Sequence, residues 1–266
     1  MVDLKEIVKE IKRAQFKEYD SALAISGYVG EGKSTFSMQL MKEYYNIKTL
    51  SEFKRMCETY LVYSRRELEK ITTTQEKKFI NIDEAINVLF KRDFMKGDQK
   101  NLLRTLDVCR DMKHAFTFII PSFWALDSHT IQTRIRLWVH VEKQKYAHLS
   151  RPLRNPYTLD VWNRAVNEKV IAKTNSITNT LNYISSLTFE ALSPEEYKIY
   201  KKIKHEKRLK ARDEADKKPD ISKSEIARLI YNTNSNTTHA EIAKILNIRR
   251  PTVTQALKGR KVDTRL

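Results

Sequence analysis

Five glycines are all that this chain of 266 residues contains, and three of them, Gly27, Gly30 and Gly32, fall within six positions. Ordinary usage is about 7%, so glycine has been kept for a place where the backbone must adopt conformations that a Cβ forbids. The local string Gly27-Tyr28-Val29-Gly30-Glu31-Gly32-Lys33-Ser34-Thr35 is a full match to G-x-x-x-x-G-K-[ST]. Upstream, Ser21–Ser26 (SALAIS) reads as a short buried strand. Downstream, Phe36, Leu40, Met41 and Tyr44 recur at helical spacing. Strand, glycine loop and helix form the context that a phosphate-binding loop requires. A chance glycine turn before a helix is the bland alternative, and both flanks argue against it.

The chemistry expected of such a loop follows from its geometry. Backbone N–H groups of Gly27, Gly30, Glu31, Gly32 and Thr35 turn inward to hold phosphate oxygens, helped by the dipole of the helix they open. Lys33 reaches the β- and γ-phosphates of ATP, and the Ser34 hydroxyl ligates Mg²⁺. A strand tip should then carry the acid on the metal side, and Phe79-Ile80-Asn81-Ile82 runs directly into Asp83-Glu84. Asp83 holds Mg²⁺ through water in this reading, and Glu84 orients or deprotonates the attacking water. A structural reading is compatible with it: Asp83 as a helix N-cap and Glu84 as a first-turn partner of the dipole.

A further apolar strand, Ala115–Ile120, stops at Pro121-Ser122, and Thr130–Arg136 leads into the strand-like run Leu137–Val141. Near-continuous apolar strands separated by helices predict an α/β fold with a parallel sheet covered on both faces. The order of phosphate loop, Asp-Glu-Ala, a basic helix ending in Arg110-Asp111, an apolar strand and Thr133-Arg134-Ile135 resembles the FtsK/HerA group of RecA-like P-loop ATPases. The Zot-like proteins of filamentous phages and of archaeal plasmids and viruses belong to that broad group. The resemblance covers about residues 20–142. It implies a DNA-pumping motor, usually a hexameric ring with nucleotide sites between subunits, in which Lys33, Ser34, Asp83 and Glu84 serve as above. Where the group has a Gln at the tip of the strand ending in Ile120, this chain has Pro121-Ser122, so Ser122 takes the γ-phosphate sensor position. Arg104, Arg110, Arg134 and Arg136 are the candidates for an arginine finger, and each also reads as a solvated surface charge.

Residues 143–220 read as an edge strand (Tyr157–Trp162), a polar helix, continuous or broken, over Asn163–Leu187 and a long charged helix. Ser193-Pro194-Glu195-Glu196 is a capping box with proline at the first helical position. The helix it starts carries ten Lys/Arg against six Asp/Glu between Pro194 and Lys218. It is either a solvated connector or a positive lever lying near DNA, and Pro219 ends it. Two more capping boxes follow, at Ser222–Glu225 and Thr238–Glu241. They open helices with Ile226, Leu229 and Ile230, and with Ile242 and Ile245, as apolar positions. Asn247 suits a left-handed turn. A last helix, Pro251–Lys258, ends at Gly259, with Ala243, Ile248, Val253 and Leu257 joining the two helices.

Residues 221–262 thus resemble a helix-turn-helix DNA-binding domain, with Arg249 where a Ser or Thr cap is commoner. Arg250, Thr252 and Gln255 face base edges in this reading, Lys258, Arg260 and Lys261 serve the phosphates, and Arg249 is counted with them among the DNA-binding residues. A three-helix bundle for protein contacts is the alternative, and the net charge of +17, from 50 basic and 33 acidic residues, weighs toward a polyanion such as duplex DNA.

Two cysteines without metal-ligand spacing fit a reducing, cytoplasmic compartment, and the six histidines show no zinc pattern. No apolar run is long enough to span a bilayer, so no integral membrane association is expected. The N-terminal segment, with Leu4, Ile7, Val8 and Ile11, reads as an amphipathic helix packed on the ATPase or a neighbouring subunit. Three domains are expected: 1–142 as the ATPase core, 143–220 as linker and 221–266 as helix-turn-helix. The functional expectation is a Mg²⁺-dependent ATPase that moves along or remodels DNA. A replicative helicase or origin-melting ATPase shares every motif, and a non-motor, ATP-switched DNA-binding regulator is the reading from outside the motor class.

Overall fold

Near-continuous apolar runs in the strands dictate a sheet buried on two sides, and the computed structural model has that form, with every residue of Ser21–Ser26, Phe79–Ile82 and Ala115–Ile119 buried. It describes residues 3–83, 109–153, 160–216, 227–228, 230–231 and 237–258. The chain separates into two compact units, Met1–Ala211 and Arg212–Leu266.

The first unit is a mixed α/β fold on a seven-stranded sheet. Its strands are β1 (Ser21–Ser26), β2 (Leu61–Val62), β3 (Phe79–Ile82), β4 (Ala115–Ile119), β5 (Ile135–Lys143), β6 (Tyr146–Ser150) and β7 (Tyr183–Thr188), in the order β2-β3-β4-β1-β5-β6-β7. The five strands from β2 to β5 are mutually parallel, whereas β6 and β7 add on antiparallel. The expected parallel core is present. The helix expected over Asn163–Leu187 is present only in its first part. Helix α6 (Arg164–Thr174) stops at Asn175, which sits left-handed at φ 50°, and Tyr183–Thr188 pairs with β6. Tyr146–Ser150 and Tyr183–Thr188 therefore extend the sheet on the β5 side. Of the edge strand expected at Tyr157–Trp162, residues 157–159 lie outside the described set, and 161–162 form a turn.

Alternation along β1 shows how the two faces divide. Leu23 and Ile25 face a core built by α1 (Leu4–Phe16), α2 (Lys33–Tyr45), α3 (Leu50–Tyr60) and α7 (Pro194–Asp216). Ala22 and Ala24 face a second core, with Leu68 and Ile71 of α4 (Arg65–Thr74), Phe123, Leu126, Ile131 of α5 (Ser128–Thr133) and the fully buried Trp162. Each large apolar side chain buried there stabilises by about 1.5–3 kcal/mol. Helix α1 turns Ile7, Val8 and Ile11 inward as its periodicity requires, capped by a reciprocal Asp3/Glu6 box. The Ser193/Glu196 box opens α7 as its spacing predicts. Among the described residues no helix is long and apolar enough to cross a membrane.

The second unit holds α8 (His239–Ile245) and α9 (Arg250–Lys258), joined through left-handed Asn247 at φ 49°. The Thr238/Glu241 capping box is formed. Ala227, Ile242, Ala243 and Val253 are buried, with Ile230, Leu246, Ile248 and Leu257 packed against them. Ile245 departs from expectation: it is 65% exposed and takes no part in that core. Ser222–Glu225 and Gly259 lie outside the described residues.

Candidate functional site

Strand β1 delivers the glycine loop to the carboxyl edge of the sheet, where α2 begins. Gly27, Gly30 and Gly32 have φ of +148°, +91° and +93°, in the half of conformational space that side chains avoid. Gly27 is also hemmed in, because an added Cβ would stand 2.3 Å from the Val141 carbonyl oxygen on β5. Gly30 faces open space. Helix α2 has left-handed Gly32 as its N-cap and no side-chain cap. Helices α1, α3 and α4, by contrast, are each capped by a side chain, from Asp3, Thr49 and Ser64. The first-turn amides of α2 are thus left to an anion or to water.

Lys33 folds back over the loop, its Nζ donating to the carbonyls of Gly27 and Tyr28, each at 2.7 Å. Burial is the main cause holding its ammonium below the usual lysine range, with the charge of Lys204 acting the same way against Asp83 and Glu31. Ser34 Oγ donates to Asp83 Oδ1 at 3.4 Å across the gap between α2 and the tip of β3. One turn further along α2, Ser37 Oγ meets Thr117 Oγ1 at 3.3 Å, and Thr117 donates to Asn81 Oδ1 at 2.9 Å. Among the described residues this buried polar rank under α2 leaves Asn81 Nδ2 without a partner. Glu31 and Thr35 are half-buried beside Lys33, while Tyr28 and Val29 stand out at the loop tip, 78% and 94% exposed.

Asp83 is 2% exposed and well supplied with donors. Its Oδ2 accepts from the Tyr63 hydroxyl, from Tyr200 Oη at 2.7 Å and from Lys204 Nζ at 2.6 Å. Burial, followed by the neighbouring Asp83 carboxylate, pushes both phenols far above the usual tyrosine range, so they stay protonated donors. Sequence reading missed all three. Tyr63 follows a two-residue strand, and Tyr200 and Lys204 lie on the helix read as a connector or lever. The one available signal was their spacing of four on α7, which places them on a common helix face.

The remaining site candidates disperse. Ser122 is exposed beyond the end of β4, and its side chain caps nothing. Arg134 is 5% exposed, with Nη1 donating to Asp20 Oδ2 at 3.0 Å. Asp20 precedes β1 and Arg134 precedes β5, so the pair lies at the amino edge of the parallel strands, opposite the glycine loop. Arg136 packs over the Tyr19 ring, near that same edge. Glu84 and Arg104 lie outside the described residues, and only the backbone of Arg110 is described. In the second unit Arg249, Arg250, Thr252 and Gln255 are all exposed. The Lys258 side chain, Arg260 and Lys261 fall outside the described set.

The chemistry of the loop suits an anion with a hard cation beside it. Lys33 and the uncapped N-terminus of α2 lie beside a hydroxyl, Ser34, and a carboxylate, Asp83. Among the described residues no group of three His, Cys, Asp or Glu gathers as a metal site. Mg²⁺ needs no such cage, since it takes one or two protein oxygens and fills its octahedron with water and phosphate. No protein-family model matches the chain, and no curated protein matches it in sequence.

Proposed function

We propose that the chain is a Mg²⁺-dependent ATPase of RecA-like P-loop type that moves along or remodels DNA, with the second unit as its helix-turn-helix DNA-binding module. The observation that carries this reading is Ser34 at the start of α2 facing Asp83 at the tip of β3, beside a loop whose three glycines all have positive φ. In this reading the loop amides and the α2 N-terminus bind the phosphate chain. Lys33 leaves the Gly27 and Tyr28 carbonyls for phosphate oxygens, which are better acceptors for an ammonium. Ser34 and Asp83 hold Mg²⁺, which when bound neutralises charge on the β- and γ-phosphate oxygens. Glu84, next in sequence, takes the role of base toward the attacking water.

Strand β4 between β1 and β3 brings Pro121-Ser122 to the same edge of the sheet, which supports Ser122 as the sensor. Assembly into a ring, hexameric by resemblance, supplies a finger from a neighbouring subunit. Arg104 and Arg110 are the candidates kept for that part, since Arg134 and Arg136 are engaged at the opposite edge.

ATP turnover by the full chain, with and without duplex and single-stranded DNA across a salt series, tests the proposal. Wild type should hydrolyse ATP with stimulation by duplex, and Lys33→Ala should abolish turnover. The pair Arg250→Ala and Gln255→Ala should weaken DNA binding, by about 1–3 kcal/mol where a bidentate base contact is lost. No turnover, and no nucleotide binding by wild type, would end the reading. A second reading, an ATP-switched DNA binder, draws support from the three donors that fix Asp83 Oδ2, and it predicts tight site-specific binding with slow turnover that duplex leaves unchanged.

A further inference from the structure

Helix α7 reaches the glycine-loop edge of the sheet with more than packing. Tyr200 and Ile203 are buried in the core, and Lys207 Nζ donates to the Leu61 carbonyl at 2.7 Å and pairs with Glu67 at 2.9 Å. Those contacts fix the helix against β2 and the start of α4. Lys204 is thereby aimed, with its side chain 19% exposed, at a carboxylate that is 2% exposed. It also donates to Tyr200 Oη at 3.0 Å. The two oxygens of Asp83 are used unequally: among the described residues three donors crowd Oδ2, while Oδ1 has Ser34 at 3.4 Å. With Arg134 and Arg136 at the far edge, Lys33 and Lys204 are the cations that the described residues bring to this site.

We propose that Lys204 is the resident counter-ion of Asp83 and exchanges there with Mg²⁺, carrying its ammonium from the carboxylate to the phosphate chain of the nucleotide. The inference rests on the nucleotide reading above. A buried carboxylate left unpaired is strongly destabilising, so a counter-ion is needed whenever the metal is not there. A divalent cation within a few ångströms of an ammonium in a half-buried site is repelled by it, so the two do not share one carboxylate. Lysine can accommodate the exchange, because its four-carbon stem lets the charge move while the helix stays packed. Tyr63 and Tyr200 are neutral donors that keep Oδ2 held throughout, leaving Oδ1 turned toward Ser34. Removing the charge of Lys204 should therefore help the metal and hurt the metal-free nucleotide.

The test uses the full chain and a fluorescent ADP analogue, with binding followed in EDTA and then along a Mg²⁺ titration. Lys204→Met should lower the Mg²⁺ midpoint, and weaken binding in EDTA, by about tenfold or more, since one charge at ion-pair range is worth close to that factor even at the dielectric of water. Lys204→Arg should return both values toward wild type. Lys204→Gln, which keeps a neutral donor for Asp83, should behave as Met does and serves if the Met variant fails to fold, judged by its melting temperature in EDTA. A midpoint unchanged or raised in the Met and Gln variants overturns the proposal, the raised case making Lys204 a residue that positions Asp83 for the metal. A wild type that binds no nucleotide in either condition overturns this inference together with the nucleotide reading. A wild type that binds, beside unshifted Lys204 variants, overturns this inference alone.

Discussion

Replacing Gly27 by alanine should damage the protein far more than the same change at Gly30, although both glycines belong to one loop and both have positive φ. At Gly30 the added methyl meets nothing within 4 Å, so the cost is backbone strain alone. That strain is about 1–2 kcal/mol, offset in part by the lower entropy of an unfolded alanine, about 0.4–1 kcal/mol. A net loss near 1 kcal/mol is expected. At Gly27 the φ of +148° is still less accessible to an L-residue, and the methyl would stand 2.3 Å from the Val141 carbonyl oxygen. That oxygen belongs to the backbone of β5, so relief requires a strand or the loop to shift. The expected cost is about 3 kcal/mol or more.

For a unit of this size each kcal/mol moves the melting temperature by about 2–4 °C. Gly27→Ala should therefore melt roughly 6–12 °C below wild type, and Gly30→Ala roughly 2–4 °C below. Tryptophan fluorescence suits the assay, because Trp124, Trp138 and Trp162 all lie in the first unit, clustered around Phe123. Equal losses in the two variants would refute the argument that the close approach of β5, and not φ alone, demands glycine at position 27.

The histidines give a pH prediction. His114 and His140 are both held below the ordinary value of 6.5, chiefly by burial, with the charge of His148 adding to the effect on His140. Below pH 6.5 the unfolded chain takes up protons that these rings refuse, so stability should fall as pH drops from about 6.5 toward their folded pKa values and be flat just above it. His114→Gln should shallow that slope in melting curves taken from pH 7.5 to 5.5, and a slope identical to wild type would contradict the assignment. The Arg134–Asp20 pair at the opposite edge should matter for folding and not for the site. Asp20→Asn should cost about 2–3 kcal/mol in urea unfolding, below the range for a fully buried pair because the Asp20 side chain is 20% exposed. Its nucleotide affinity, measured with the same fluorescent ADP, should equal wild type, and a matching loss of affinity would return Arg134 to the list of site residues.

The glycine loop, β1, β3, β4, the capping boxes at Ser193 and Thr238 and the turn at Asn247 were all legible in the residues, because each is settled within a few positions. A left-handed turn needs Gly or Asn, a cap needs a hydroxyl three residues before a carboxylate, and a buried strand needs its apolar run. Asn175 and the β-favouring run of Tyr183–Thr188 were signals of the same local kind, and they correct the extent of the helix expected there. What the tertiary structure alone decided is order and convergence. Nothing in a local window says that β4 lies between β1 and β3, or that β6 and β7 close one side antiparallel. Nor does any spacing reveal that Tyr200 and Lys204, 117 and 121 residues after Asp83, donate to its carboxylate. A charged helix reads as a solvated surface because lysines usually are solvated. Lys204 differs because packing of Tyr200 and Ile203 carries it to a buried carboxylate, where desolvation makes pairing obligatory. Periodicity fixes which face of a helix is apolar, but only the assembled core fixes what its polar neighbours meet.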